Sequence, residues 1–350
     1  MADPGTESLL ETNGLSAEEL DRVRHELVAL RARPVTPWFV APFVFLGALL
    51  GATLISIGVA VVIDIEWHTP QVWMLSVFYF GSAYALYRAR AGSFADDLGL
   101  ALSIGAHAFG LVAVADQAEP GHRGLPLTIC AFVYCAVGYP LIRDTLHRFL
   151  ACTFVFFVAK VALPHDDLQG VLHAILPIAA ATCAWSLTRP RSNPTLFPLA
   201  YACGVGLIVL LLPLTDRGLW FEDVDLLAPW WPSVVCGVAL LGAAEFAMRR
   251  AGWNSTLARV LLLVAVAGIG VLGAPGVLAV MFLAVLGYAS FHERLAIVAL
   301  LSLPLFVFEF YFALDVSLLA KAGTLVGTGL VLLAARFVMR RGRVPNRGDA

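Results

Sequence analysis

Charge is the scarce component of this sequence. Asp, Glu, Lys and Arg make up 14% of its 350 residues, against 60% hydrophobic positions, and mean hydropathy is +0.83. That composition excludes an ordinary soluble globular protein and points to a membrane. The balance of 23 basic against 25 acidic residues, net −2, leaves no concentrated basic face, so nucleic acid is excluded as a partner. Also missing are H-E-x-x-H, G-x-S-x-G, G-x-x-x-x-G-K-[ST] and paired catalytic aspartates, so nothing supports an enzyme, and no cofactor or metal is expected. The six cysteines (130, 135, 152, 183, 203, 236) lie in apolar stretches with no C-x-x-C or Cys/His ligand spacing, and read as small packing residues. The polar first 36 residues lack the apolar core and cleavage site of a signal peptide.

What the sequence has is apolar runs. A bilayer core needs on the order of 20 apolar residues per helix. That length predicts an all-α polytopic membrane protein of about twelve transmembrane helices, at 38–63, 71–87, 98–115, 124–142, 147–163, 170–188, 195–214, 229–248, 257–272, 275–291, 295–312 and 315–338. Residues 1–36 form a cytoplasmic tail, 37–339 the transmembrane domain and 340–350 a basic tail. The tail carries a predicted amphipathic helix: Ser16 and Glu19 form a capping box, Leu15 and Leu20 a staple, and Leu20, Val23, Leu27 and Leu30 an apolar side that ends before Pro34.

Charge placement tests the topology, because Lys and Arg concentrate in cytoplasmic loops. Of the 23, 17 fall on one side: Arg22 to Arg33, Arg88, Arg90, Arg143, Arg148, Arg189, Arg191, Arg249, Arg250, Arg294 and Arg340 to Arg347. Both termini are therefore expected in the cytoplasm. The tryptophans agree, with Trp38, Trp185 and Trp253 at the inner boundary and Trp67, Trp73, Trp220, Trp230 and Trp231 at or beyond the outer one.

A weak repeat relates the halves 37–190 and 195–339. Arg90-Ala91-Gly92 matches Arg250-Ala251-Gly252, and Val137-Gly138-Tyr139 matches Leu286-Gly287-Tyr288. Continuing the second register sets Lys160 opposite Glu309 and Asp166 opposite Asp315. Two six-helix bundles of the same orientation would follow, as in some transporters.

The last hundred residues carry Pro275-Gly276, Gly287-Tyr288, a tyrosine-rich turn at Tyr311, and Leu318-Leu319-Ala320-Lys321-Ala322 before Gly329 and Arg336. They resemble the C-terminal part of an uncharacterised family of bacterial polytopic inner-membrane proteins, a domain of unknown function with an L-L-x-K-S motif; here Ala322 replaces the serine. Pro37-Trp38 and the stretch Phe94 to Ser103 are similar to the same family. The resemblance implies a multi-pass protein of the bacterial inner membrane, and no activity.

Ionisable residues inside a bilayer are costly and point to sites. Lys160, Glu309, Lys321, Asp315 and His107 form the candidate intramembrane polar site. Lys160 and Glu309 could neutralise each other across the halves; the alternative is that the lysines snorkel outward. His107 could carry a proton or pack as a neutral ring. His165, Asp166, Asp167 and His173 cluster at the outer face without metal-ligand spacing. Glu245/Arg249 and Asp144/Arg148 read as local i,i+4 salt bridges. Gly47-x-x-x-Gly51 and Gly323-x-x-x-Gly327 permit close helix approach, and Pro177 and Pro304 predict kinks. The loop at Arg88 to Asp97 departs from the G-x-x-x-D-R-x-G-R pattern of the major facilitator architecture. Two functions stay open. One is a transporter or permease-like carrier of a small-molecule substrate. The other is a membrane scaffold or assembly subunit that binds a membrane-protein partner in the envelope, both within the lipid bilayer.

Overall fold

Apolar helices joined by glycine, proline and single polar caps make up the described part of the chain. The computed structural model describes residues 47, 50–51, 70–89, 93–119, 121–166, 168–189, 194–212, 230–271 and 273–313. The predicted amphipathic helix, most of the first segment, all of the last segment, the basic tail, Arg90-Ala-Gly92 and the glycines at 323 and 327 lie outside them.

Ten α-helices are found among the described residues: α1 (Pro70–Ala89), α2 (Ser93–Gln117), α3 (Gly124–Leu141), α4 (Thr145–Ala162), α5 (Gln169–Thr188), α6 (Phe197–Leu211), α7 (Trp231–Arg250), α8 (Thr256–Val271), α9 (Pro275–Ala289) and α10 (Glu293–Ala313). Each falls on one of the ten inner segments expected from the apolar runs. The expected count of about twelve crossings is corrected, however. Among the described residues, five helices are long and apolar enough to cross a membrane: α2 over Phe94–Gln117, α3, α4, α5 over Gly170–Thr188, and α7. Helices α6, α8 and α9, of 15, 16 and 15 residues, reach about 22–24 Å at 1.5 Å per residue, short of a hydrocarbon core of about 30 Å. An apolar run marks removal from water, and a helix can meet that requirement with less length than a full crossing of the hydrocarbon core needs.

The chain divides into two compact units, one of residues 1–65 and 79–105, the other of 66–78 and 106–350. In the first, Tyr79 is fully buried, and its ring lies where a Cβ on Gly105 would sit at 3.0 Å; Tyr87 fills the equivalent space beside Gly99 at 3.2 Å. Two glycines on α2 thus admit two tyrosines of α1.

In the second unit α9 is the spine. It packs on α6, α7, α8 and α10, and Leu278, Ala279, Leu283 and Leu286 are fully buried against Leu207, Leu240 and Leu295. Lipid is as apolar as leucine, so close contact rather than exclusion of water holds such helices together. Glycine sets how close they come. A Cβ on Gly287 would meet the backbone N of Ala296 at 2.8 Å and the carbonyl of His292 at 3.1 Å. The outer faces of α8 and α10 present Leu257, Leu261, Val264, Leu301 and Phe308, a surface suited to acyl chains.

Helix ends follow a common rule. Helices α7 and α8 end on Gly252 and Gly273 at φ +68° and +71°. Trp253 N bonds Met248 O at 2.9 Å, and Ala274 N bonds Ile269 O at 3.4 Å, the left-handed cap that glycine favours. Helix α9 closes the same way, with His292 N on Gly287 O at 2.8 Å, but the left-handed residue is Phe291, at φ 61°. Arg250 supports it, lying 4.4 Å over the Phe291 ring and donating to Ala289 O at 2.8 Å. His292 beyond it accepts or donates through Nδ1 to the Tyr201 hydroxyl at 3.2 Å.

The expected Glu245/Arg249 pair is present at 2.8 Å and extends to Arg259 at 2.9 Å. The expected Asp144/Arg148 pair is corrected. Asp144 caps α4 by accepting from His147 N at 2.6 Å, while Arg148 Nε bonds the carbonyls of Tyr139 at 2.7 Å and Ile142 at 3.0 Å. The hairpin brings the end of α3 to the guanidinium, and carbonyls starved of partners outcompete a solvated carboxylate.

Gly287→Ala is expected to destabilise the protein by about 1–3 kcal/mol, because backbone cannot step aside; Gly268→Ala, which meets no described atom within 4 Å, should be near neutral, and thermal unfolding in mild detergent compares them. Burial holds the His292 imidazole below its ordinary 6.5, so its contribution is complete above that value and is lost as pH falls through the folded value. The unfolding temperature should therefore drop on going from about pH 8 to about pH 5, and drop less in His292→Gln.

Candidate functional site

Four consecutive helices deliver polar side chains to one buried place in the second unit. Ser76 comes from α1, His107 from α2, Tyr134 from α3 and His147 from α4. Ser76 is fully buried, His147 is 1% exposed and His107 5%. Ser76 Oγ donates to the carbonyl of Ala106 at 2.6 Å and hydrogen-bonds the Tyr134 hydroxyl. A serine has one proton to give, so the phenol is the donor of that second bond.

The His107 ring is set among aromatic faces. Its centroid lies 5.0 Å from Tyr134, 6.4 Å from His147 and 5.9 Å from Phe154, the last edge-on at 89°. The room for Tyr134 is made by Gly110, one turn beyond His107, where a Cβ would fall 2.7 Å from the tyrosine ring. The Asp144 cap fixes the first turn of α4 and with it the height of His147. The cluster thus brings two imidazoles, a phenol and a hydroxyl together inside apolar helices, where polar groups carry most weight.

Of the residues expected to form the intramembrane site, His107 is in this cluster. Lys160 is elsewhere, on α4 and 5% exposed, with Nζ donating to Leu210 O at 3.0 Å and to Leu212 O. Its positive charge meets the negative C-terminal end of α6, a favourable pairing. Glu309 lies on α10, with its side chain outside the described set; Asp315 and Lys321 are also outside it. At the outer face Asp166 accepts from Leu125 N at 2.7 Å, capping α3. The carbonyl of His173 accepts from Trp231 Nε1 at 2.9 Å, and the two rings meet edge to face at 6.4 Å. The His165 side chain and Asp167 are outside the described set. Among the described residues no three His, Cys, Asp or Glu side chains gather.

Sequence reasoning missed His147, Tyr134 and Ser76. His147 stands between Asp144 and Arg148, so it reads as a loop-facing residue. Single serines and tyrosines in apolar runs are too common to stand out. The signal that could have found them is the coincidence of a polar aromatic or histidine on each of three successive helices.

Two comparisons, with curated proteins and with solved structures, returned no match. A family model described as "Domain of unknown function (DUF4401)" matches residues 37–342, nearly all of the chain beyond its polar N-terminal tail. The multi-helix apolar chain expected to join an uncharacterised family is therefore a member of the DUF4401 family.

Proposed function

We propose that this membrane protein is a carrier that couples movement of a small solute or ion to movement of a proton, with His107 and His147 as the proton-handling pair. The observation that carries the reading is the 6.4 Å approach of two buried imidazoles beside Tyr134. A packed core gains nothing from two such rings that phenylalanine would not supply more cheaply. In the proposed cycle one proton is held between the rings, and Tyr134, fixed through Ser76, keeps His107 in place. Glu309, in the second half of the repeat, supplies the outer polar element. The charge bias supports cytoplasmic termini, and the resemblance of the C-terminal motif supports a bacterial inner membrane.

The full-length chain in liposomes with an entrapped pH dye tests this, using amino acids, organic acids and monovalent cations as probes. Solute-dependent proton movement is expected in the wild type, reduced at least about tenfold in His107→Gln and His147→Gln. Equal rates in both variants would remove the histidines from the mechanism. If no probe moves protons, and native mass spectrometry from the protein's own membrane finds a stoichiometric second polypeptide, a scaffold replaces the carrier. In the same assay Glu309→Ala should abolish the flux while the protein still folds; a wild-type rate would sink that part of the proposal.

A further inference from the structure

The α3–α4 hairpin holds a second arrangement, independent of the carrier reading. Cys135 on α3 and Cys152 on α4 place their Sγ atoms 3.3 Å apart. Both are free thiols, 9% and 5% exposed. A disulfide needs the sulfurs at about 2.05 Å, so bond formation requires an approach of roughly 1.2 Å. The pair sits in a buried cluster with Ala151 and Ala202, against which Tyr139, Phe149, Val155 and Leu199 pack, so the movement required is a small rotation of the thiols about their own Cα–Cβ bonds. The other four cysteines sit on α3, α5, α6 and α7, and no sulfur–sulfur contact joins any of them among the described residues.

We infer that Cys135 and Cys152 are a reversible dithiol, oxidised to a disulfide by a membrane-soluble two-electron acceptor of the quinone class. Two S–H bonds break and one S–S bond forms. The two electrons and two protons pass to the acceptor, which leaves as the hydroquinone. A lipid-soluble oxidant is required because both sulfurs lie about two helical turns from the α3–α4 turn, beyond the reach of charged redox couples. The bond ties together the helices that carry Tyr134 and His147, so the redox state sets how far those two helices can move against each other.

The test uses the full-length protein in its native membranes with diamide, a membrane-permeant two-electron oxidant that takes up both protons as it becomes the hydrazine. Thiols left after treatment are alkylated in denaturant and the peptides are mapped. The expected result is loss of two of the six alkylatable thiols, a cross-linked peptide joining Cys135 to Cys152, and full recovery with dithiothreitol. Cys135→Ser and Cys152→Ser should each keep all five remaining thiols free, while Cys203→Ser should still form the bond. Retention of all six thiols, in membranes and again in detergent where access is unrestricted, overturns the inference. So does a bond between any other pair. If a serine variant fails to accumulate, the wild-type peptide map alone decides.

Discussion

A helix that ends inside or at the edge of a bilayer leaves carbonyls without water to bond them, and each one left unsatisfied costs more than most single contacts return. The few charges of this chain are placed to meet that demand. Arg148 serves the end of α3, Lys160 the end of α6 and Arg250 the end of α9. Asp144 and Asp166 do the same for N–H groups at the starts of α4 and α3. Each cap but Asp144 reaches across from another element, so satisfying the backbone also fixes tertiary position. For the 15-residue helices α6 and α9, the C-terminal carbonyls meet a cationic side chain rather than lipid.

This use of charge explains why the polar site was only partly legible. Sequence pattern pairs a cation with the nearest anion at i,i+4, and that holds for Glu245 and Arg249, which sit at an exposed helix end. It fails for Arg148, since a hairpin partner is invisible to a one-dimensional pattern. The Lys160 ammonium illustrates the same gap: mutual neutralisation and snorkelling were both reasonable for an isolated helix, and its observed bonds go to the carbonyls of α6. His107 was legible as a candidate because an ionisable residue in the middle of an apolar run is costly, although a packed neutral ring explains it equally in one dimension. Tyr134 and Ser76 became meaningful only once α1, α2 and α3 were side by side.

The helices themselves were far more readable, for a physical reason. Apolar runs bounded by Gly, Pro and Arg report both burial and termination, so the ten described elements fall where periodicity and breakers put them. Crossing the membrane is a separate property, set by length against lipid thickness, and hydropathy does not separate a spanning helix from a short, largely buried one like α9. The caps show a similar boundary between readable and unreadable. Gly252 and Gly273 announce left-handed residues, whereas Phe291 does not, because its unfavourable φ is supported by an arginine 41 positions away in sequence.

The His107 cluster stands apart from these caps. Lys160 and the aspartates answer a need that the helices themselves create, and a neighbouring backbone group accounts for each of them. His107 lies well inside α2, away from either end, and rings of α3 and α4 surround it. Stability alone would favour an apolar ring at that position, packed against Phe154 as His107 is and freed of the cost of burying an imidazole. Gly110 adds to the argument: its missing Cβ weakens α2 slightly and admits Tyr134 to the histidine. Two stability-neutral or unfavourable choices on one helix, three residues apart and serving the same contact, are what a functional constraint produces in a protein otherwise built from apolar packing.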